Sequence, residues 1–153
     1  MAYLGDYACG WHTGIDLVCD NKKIYATCDG VVTRTGYDKS YGNFIVIQDK
    51  TNGRYHWFCH LSKINVSRYA IVNRNSQIGI MGNTGHSTGT HLHYEIRSPQ
   101  NVYADVFNPA EYMGIPNEKG TYDSNNYPVY RSHIQDIGWQ HFVAPRTSIW
   151  NSR

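Results

Sequence analysis

Residues 44–60 read FIVIQDKTNGRYHWFCH, and this stretch contains the clearest fold signal in the sequence. Two runs rich in β-branched and aromatic residues, Phe44–Gln48 and Arg54–His60, stand on either side of Asn52-Gly53. An Asn-Gly pair between such runs is a strong short-range signal for a tight turn joining two antiparallel strands. The stretch therefore predicts a β-hairpin.

Short apolar runs alternate with turn signals outside this hairpin as well. The runs Ile24–Cys28 and Val31–Thr35 stand on either side of Asp29-Gly30, and residues 36–41 are predicted as a further turn. The composition agrees, because 13 Tyr, 4 Trp and 14 Gly with only 17% charged residues are typical of strands joined by tight turns. We predict an all-β dominated fold, a compact antiparallel β-sheet or sandwich-like domain with long loops.

Length, charge and cysteine content limit the classes of function. A chain of 153 residues has room for one ordinary domain and a small appendage. Its net charge of +2 does not indicate a nucleic-acid binder, so no nucleic-acid partner is expected. No apolar run reaches the roughly 18 residues of a membrane span, and the N-terminus lacks the features of a signal peptide. The four cysteines are predicted to be reduced, mostly buried thiols, with a metal role for Cys9 or Cys59 as the alternative.

The C-terminal part of the chain changes character. Residues 109–113 have room for one helical turn at most, and residues 117–128 are polar, with Gly, Ser, Asn and Asp prominent. We predict a main domain over residues 1–116, a linker over 117–128 and a tail over 129–153. The tail is too short to fold by itself. The oligomeric state is left open by the sequence.

The tripeptide His91-Leu92-His93 is the strongest signal for chemistry. Alternate side chains of a β-strand share one face, so both imidazoles are expected to point into one groove while Leu92 points into the core. A loop rich in glycine, residues 82–89, leads into this strand and allows a close backbone approach. His12 and Asp16 lie four residues apart and could converge with this pair. Histidine nitrogens and a carboxylate oxygen are natural ligands of a catalytic zinc ion.

Three blocks of sequence make this interpretation specific. They are His12-x-x-x-Asp16, then Cys59-His60-Leu61-Ser62, then Gly82-Asn83-Thr84-Gly85-x-Ser87-Thr88-Gly89-x-His91-Leu92-His93-Tyr94-Glu95. Their order, spacing and intervening residues resemble the lysostaphin-like (LytM-type) family of peptidoglycan zinc metalloendopeptidases. The likeness spans roughly residues 11–109, and the third block is too long for chance agreement. The resemblance implies that the long loops form a substrate groove.

The resemblance also implies the roles of five residues. One zinc ion is expected to be bound by His12, Asp16 and His93, while His60 and His91 are expected to be catalytic histidines that flank the reacting water and the substrate carbonyl. Zinc lowers the pKa of a bound water towards ~7 and polarises a carbonyl. A neutral imidazole can take the proton of the water, and an imidazolium can stabilise an oxyanion or protonate a leaving amine. Which of the two histidines does which is left open.

Two further polar residues, His56 and Glu95, each allow two interpretations. His56 shares a face with His60 if the strand is regular, and it is either a substrate-side residue or a solvated or hydrogen-bonded one. Glu95 either orients one of the strand histidines as a hydrogen-bond acceptor or forms an ion pair with Arg97.

The function implied by the resemblance is hydrolysis of a peptide bond in the stem or cross-bridge of bacterial peptidoglycan, with lysis of the cell wall. The expected partner is the peptidoglycan peptide. A phage endolysin, made in the cytoplasm and released through a holin, fits the lack of a signal sequence, and secretion by another route is the alternative. Two other functions remain open: a non-catalytic relative that binds peptidoglycan or activates another hydrolase, and a wall-degrading component of a phage tail.

Both ends of the chain depart from the family pattern. Only eleven residues precede His12, so the loop contacts on that side of the groove are uncertain. In the tail, Tyr130-x-x-His133-Ile134-Gln135-x-x-Gly138-Trp139 resembles the opening of the clostridial Trp-containing cell-wall repeats, but the expected glycine-rich continuation is missing. The tail is therefore predicted to be a truncated wall-binding element or a disordered C-terminus.

Overall fold

The computed structural model describes residues 13–19, 21–102 and 105–114, together with the backbone of residues 120–122 and 139–142. These residues form short strands and one short helix. The elements are β1 Ile15–Val18, β2 Lys23–Tyr25, β3 Gly30–Asp38, β4 Gly42–Asp49, β5 Tyr55–Ile64, β6 Ile71–Val72, β7 Gln77–Met81, β8 Leu92–Arg97, β9 Val106–Phe107, α1 Pro109–Met113, β10 Gly120–Tyr122 and β11 Trp139–Phe142.

The strands form an open sheet in the order β10, β11, β1, β8, β5, β4, β3, β6. Strand β7 pairs with the C-terminal part of β5 and with β2, and β9 pairs with β8. Each of these pairs is antiparallel. The predicted all-β dominated, antiparallel fold is confirmed.

The predicted hairpin is present as the pair of β4 and β5, with Ile47 opposite His56. Gly53 has a φ of 74°, the left-handed conformation that favours glycine in such a turn. The turn predicted at residues 36–41 is wrong over its first half, because β3 continues to Asp38 and pairs Gly36 with Phe44. The run Ile24–Cys28 is also only partly a strand, since β2 ends at Tyr25.

The main hydrophobic core lies on one face of the central strands. Leu92, Tyr94 and Ile96 of β8 point into it and are at most 2% exposed. Each apolar side chain that is fully buried in this way stabilises the fold by about 1.5–3 kcal/mol. A smaller cluster, Phe44, Val46, Trp57 and Cys59, is buried separately from this core. The central strands are therefore covered on both faces.

The cysteines in the described residues agree with the prediction of buried thiols. Cys19, Cys28 and Cys59 are buried, and none of the three is in a disulfide. Cys9 lies outside the described residues.

The single helical turn predicted near residue 109 is present as α1. Asn108 caps it, since its side-chain oxygen accepts a hydrogen bond of 2.9 Å from the backbone N–H of Ala110. Gly114 ends the helix with a φ of 73°. In the part of the chain that the structure describes, no helix has the length and apolar character needed to cross a bilayer.

Two short strands fall inside the segments predicted as linker and tail. Strand β10 lies within residues 117–128, and β11 lies within residues 129–153. Strand β11 pairs with β10 and with β1, where Phe142 is opposite Asp16. Backbone from both segments thus extends the sheet next to β1, while the division into domains stays a prediction.

Gly42 and Gly53 both have left-handed backbone, with φ values of 65° and 74°. Comparing them separates the cost of positive φ for a residue with a Cβ from the cost of a steric clash. A Cβ at Gly42 would lie 2.4 Å from the carbonyl carbon of Thr84, whereas at Gly53 the nearest atom, from Pro99, is 3.8 Å away. We expect Gly53→Ala to lower the free energy of unfolding by about 1 kcal/mol. Gly42→Ala should lower it by roughly 1–3 kcal/mol more, because overpacking adds to the backbone cost. Urea unfolding measures both values, and equal losses would contradict the close packing at Gly42.

Candidate metal centre

Asp16 and His93 face each other across the β1–β8 pair, where they are partners in the antiparallel register. Asp16 Oδ1 lies 3.1 Å from His93 Nδ1. His91 Nε2 lies 3.6 Å from the same oxygen. All three side chains are buried. One carboxylate oxygen and two ring nitrogens therefore meet beside the start of β8.

The alternation along β8 places this group away from the main core. Leu92 and Tyr94 belong to the core cluster, while His93 and Glu95 hydrogen-bond to each other on the opposite face. His91 lies just before the strand and is joined to Gly82 by an isolated bridge. The shared face that was predicted for the two histidines is thus present.

Glu95 holds the far side of the His93 ring. Its Oε1 accepts hydrogen bonds of 2.8 Å from His93 Nε2 and 2.5 Å from Thr13 Oγ1. Its Oε2 accepts a hydrogen bond of 2.8 Å from Arg97 Nε, and Arg97 donates another of 2.8 Å to the Tyr41 hydroxyl. Glu95 therefore both orients a histidine and pairs with Arg97, so the two interpretations of this residue hold together.

These contacts shift the pKa values of both groups. Burial by itself would lower the pKa of His93, but Asp16 and Glu95 raise it to about 9. Burial would raise the pKa of Glu95, but His93 and then Arg97 lower it to about 2. Two carboxylates thus surround one ring and stabilise a positive charge there. A cation between Asp16 Oδ1 and His93 Nδ1 would take the place of the second ring proton.

The donor set fits a metal ion. Both carboxylates only accept hydrogen bonds, Glu95 from His93 Nε2 and Asp16 from His93 Nδ1. If a cation replaces the Nδ1 proton, the Glu95 contact keeps the other proton on Nε2, and the Nδ1 lone pair can bind the ion beside Asp16. A ring nitrogen and a carboxylate oxygen are ordinary zinc ligands. A carboxylate that accepts from the other ring nitrogen is the usual outer support of such a ligand.

His60 reaches this site because of an irregularity in β5. Residue pairing with β4 shifts register between Phe58 and Leu61, which places an extra residue in β5 at this point. His60 itself has a φ of 64°, a conformation that non-glycine residues seldom adopt. Its ring centroid lies 4.7 Å from that of His91 and 6.0 Å from that of His93.

Backbone carbonyls fix the tautomers of the two flanking histidines. His60 Nδ1 donates to the Thr84 carbonyl at 2.7 Å, and His91 Nδ1 donates to the Gly89 carbonyl at 2.7 Å. Because a carbonyl only accepts, Nδ1 of each ring carries a proton, and a ring with a single proton has its lone pair on Nε2. Burial, with a contribution from charge on His93, lowers the pKa of His60 to about 4. His60 is therefore a neutral ring near pH 7.

The glycine-rich loop packs directly on β5, which holds His60, and on the start of the neighbouring strand β4. A Cβ at Gly82 would lie 2.4 Å from the backbone nitrogen of Ser62, and one at Gly85 would lie 2.2 Å from the backbone nitrogen of Gly42. Both glycines are needed for this approach. The loop thereby presents the Thr84 carbonyl to His60.

In a comparison with known protein families, residues 10–106, more than half of the chain, match peptidase family M23. The chain belongs to peptidase family M23. Over 86 residues it is 42% identical to the peptidoglycan DD-endopeptidase ShyA of Vibrio cholerae, a match that covers 56% of this chain and 20% of that protein. The chain thus spans about a fifth of the length of the relatives that it matches.

Solved structures show the same fold. The catalytic domain of lysostaphin from Staphylococcus simulans superimposes with a TM-score of 0.66 and 26% identity, covering 72% of this chain and 85% of that domain. A zinc-containing peptidase from Vibrio cholerae has a TM-score of 0.53 and 33% identity, covering 57% of this chain and 27% of that one.

In this M23 chain the structure brings together four of the five predicted site residues. They are Asp16, His60, His91 and His93, and their individual roles stay predictions. His12, the third expected zinc ligand, lies outside the described residues.

The sequence singled out residues 37–41 as an aromatic loop at the wall of the groove, and it gave Arg97 as a partner of Glu95. It missed the contact of Thr13 with Glu95 and the link from Arg97 to Tyr41, because these join distant segments of the chain. His56 does not share a site with His60 in this M23 chain. Its ring contacts Tyr94 in the core, because the irregularity at His60 breaks the alternation of β5.

We expect the left-handed backbone at His60 to cost stability. The free energy of unfolding of His60→Gly should be about 1 kcal/mol higher than that of His60→Ala. Both variants lose the ring, but only alanine keeps a Cβ at positive φ. Cys59→Gly and Cys59→Ala form the matched control on regular strand backbone, where alanine should be the more stable by roughly 0.5–1 kcal/mol. Urea unfolding of the four variants tests this. If alanine were the more stable substitution at both positions, strain at His60 would be contradicted.

Proposed function

We propose that this M23 chain is a zinc-dependent endopeptidase that hydrolyses peptide bonds in the stem or cross-bridge of bacterial peptidoglycan. The observation that carries the proposal is the His93 geometry, with Nδ1 directed at Asp16 Oδ1 at 3.1 Å and Nε2 held by Glu95 at 2.8 Å. A buried histidine held in this way is suited to bind a cation. The name of the ShyA relative, a peptidoglycan DD-endopeptidase, supports the substrate class.

The proposed zinc ligands are Asp16 and His93, completed by His12 on the strength of the family resemblance. When bound there, zinc would polarise the scissile carbonyl and lower the pKa of a water molecule. Glu95 keeps His93 in the tautomer that binds, and Arg97 neutralises the charge that Glu95 would otherwise carry alone. The zinc-containing V. cholerae structure supports this choice of ion.

His60 and His91 supply the proposed proton transfers. Each has its Nδ1 proton held by a backbone carbonyl, so each can accept a proton on Nε2 and later donate it. One ring takes the proton of the attacking water, and the other stabilises the oxyanion or protonates the leaving amine. The carbonyls fix both rings before the substrate binds, which lowers the entropic cost of reaching the reactive geometry.

Tyr41 is placed to line the substrate groove. Its ring centroid is 6.4 Å from that of His93, and its hydroxyl is held by Arg97. The proposed place of action is the bacterial cell wall. Release of the chain as a phage endolysin stays a prediction, and cross-link bonds between D-amino acids are the first substrates to test because of the name of the V. cholerae relative.

Two variants distinguish the proposed ligand role of His93 from the proposed catalytic role of His91. His93→Ala should lose both bound zinc and cleavage, because it removes a ligand. His91→Ala should keep most of the zinc but fail to cleave, because it removes a proton-transfer group. Metal analysis and mass spectrometry of the muropeptides released from purified walls measure the two properties, and the second also identifies the bond.

The exposed His86 provides a control for this pair, since His86→Ala should keep the metal content of the parent. Full activity in His93→Ala, or a parent protein that takes up no zinc at this site, would overturn the assignment.

Replacing Glu95 tests the support of the His93 ring. Glu95→Gln should weaken zinc binding by about 10–100-fold, because an amide no longer fixes the tautomer of His93 or balances the charge of the ion. Competition with a chromophoric chelator measures the affinity. Glu111→Gln, at an exposed carboxylate on α1, is the matched control and should bind zinc like the parent. An unchanged affinity in Glu95→Gln would show that the ring is held by other contacts.

A further inference from the structure

A second group of ligand-type side chains is buried on the core face of the sheet. It consists of Cys28, between β2 and β3, Asp49, at the end of β4, and His56, in the first half of β5. The sulfur, a carboxylate oxygen and a ring nitrogen all lie within 4.8 Å of one another. The three residues are 1%, 4% and 1% exposed. None of them belongs to the candidate metal centre.

Backbone pairing brings these residues together from separate parts of the chain. In the β4–β5 pair His56 is opposite Ile47, two residues before Asp49. In the β3–β4 pair Asp49 is opposite Gly30, two residues after Cys28. The backbone N–H of Lys50 also donates to the Asp29 carbonyl at 3.0 Å, which fixes the Cys28 segment beside the end of β4.

The His56 ring has one nitrogen engaged and one without a partner. Its Nδ1 lies 2.6 Å from the Tyr94 hydroxyl and 3.2 Å from Thr27 Oγ1. Its Nε2 is buried and has no hydrogen-bond partner. The nearest charged atom is Asp49 Oδ2 at 3.5 Å, longer than a hydrogen bond usually is. A buried nitrogen left in this way destabilises the fold, so a bound ion is one explanation for it.

One carboxylate oxygen of Asp49 is directed at the same place. Its Oδ1 accepts a hydrogen bond of 2.8 Å from the backbone N–H of Thr51, which leaves Oδ2 facing His56. Burial would raise the pKa of Asp49, but His56 and the Thr51 N–H lower it, so the carboxylate is charged at neutral pH. The Cys28 thiol, in contrast, has its pKa raised by burial and then by Asp49.

We propose that Cys28 Sγ, Asp49 Oδ2 and His56 Nε2 form a second metal site that binds a zinc-like divalent cation in a structural role. Thiolate and imidazole favour zinc and its neighbours over calcium and magnesium, which prefer oxygen. Zinc bonds of about 2.0–2.3 Å in a tetrahedron place ligand atoms roughly 3.5 Å apart. His56 Nε2 and Asp49 Oδ2 already lie 3.5 Å apart, so the Cys28 sulfur, which is within 4.8 Å of both, is the atom that has to move closer. A solvent oxygen would supply the fourth ligand.

Binding is an exchange of a proton for a metal ion. Cys28 releases its thiol proton to solvent as Sγ bonds to the cation. In the metal-bound state the His56 ring proton lies on Nδ1, where the Tyr94 hydroxyl can accept it, and the Nε2 lone pair bonds to the metal. The site is structural because its residues are enclosed in the core, where a peptide substrate has no access.

Cobalt substitution of the full chain tests this proposal. We expect the parent to take up two equivalents of Co²⁺ and to show a thiolate-to-Co²⁺ charge-transfer band in the near ultraviolet. Cys28→Ser should keep one equivalent and lose the band. His93→Ala should also keep one equivalent but retain the band. Cys19→Ser, at another buried thiol, is the matched control and should keep both equivalents and the band.

The outcomes separate this inference from the proposed function, on which it does not depend. If the parent binds one equivalent of Co²⁺ and His93→Ala binds none, the second site alone is overturned. If the parent binds one equivalent of Co²⁺ and Cys28→Ser binds none, the zinc-dependent function alone is overturned. A band that persists in Cys28→Ser also contradicts the second site. If Cys28→Ser does not fold, as judged by circular dichroism, Asp49→Asn takes its place, because it keeps the acceptor for Thr51, and it should lower the second affinity at least tenfold.

Discussion

The antiparallel register of β1 and β8 is the constraint on which the candidate metal centre depends. It places Asp16 opposite His93, so that a buried carboxylate and a buried imidazole lie 3.1 Å apart. Neither group could be buried alone, because an isolated charge in a protein interior is very costly. Glu95 and Arg97 extend the pairing along the same strand face. A shift of one residue in this register would put Asp16 and His93 on opposite faces of the sheet.

The second constraint is the irregularity of β5 at His60. In a regular strand His60 would lie on the same face as His56, within the core. The extra residue and the positive φ instead bring His60 next to His91 and His93, while His56 stays beside Tyr94. Left-handed backbone at a non-glycine residue costs about 1–3 kcal/mol and is often found at functional sites. The glycine-rich loop supports this conformation, because its close approach supplies the Thr84 carbonyl to the His60 ring.

Strand β8 connects the two proposed metal sites through its two faces. His93 and Glu95 belong to the candidate metal centre, and Tyr94 between them hydrogen-bonds to His56 of the second site. A structural ion bound to Cys28, Asp49 and His56 would hold the ends of β4 and β5 and the segment before β3 in place. Strand β5 also carries His60. The second site would therefore stabilise the framework of the first without taking part in its chemistry.

The sequence by itself determined the elements with strong local signals. The hairpin of residues 44–60, the antiparallel fold and the shared face of His91 and His93 follow from period-two patterns and an Asn-Gly turn, which are properties of neighbouring residues. Motif order also predicted the grouping of Asp16, His60, His91 and His93. The ligand role of His12 and the separate tail stay predictions.

Only the tertiary structure decided how distant residues meet. The extension of β3 to Asp38 depends on its pairing with β4, and the separation of His60 from His56 depends on a register shift that no local pattern reveals. The contacts of Thr13 and Tyr41, and the group of Cys28, Asp49 and His56, join segments that lie far apart in the chain. Their positions follow from strand pairing and core packing, which are set by the whole domain, whereas a sequence pattern records only the preferences of adjacent residues.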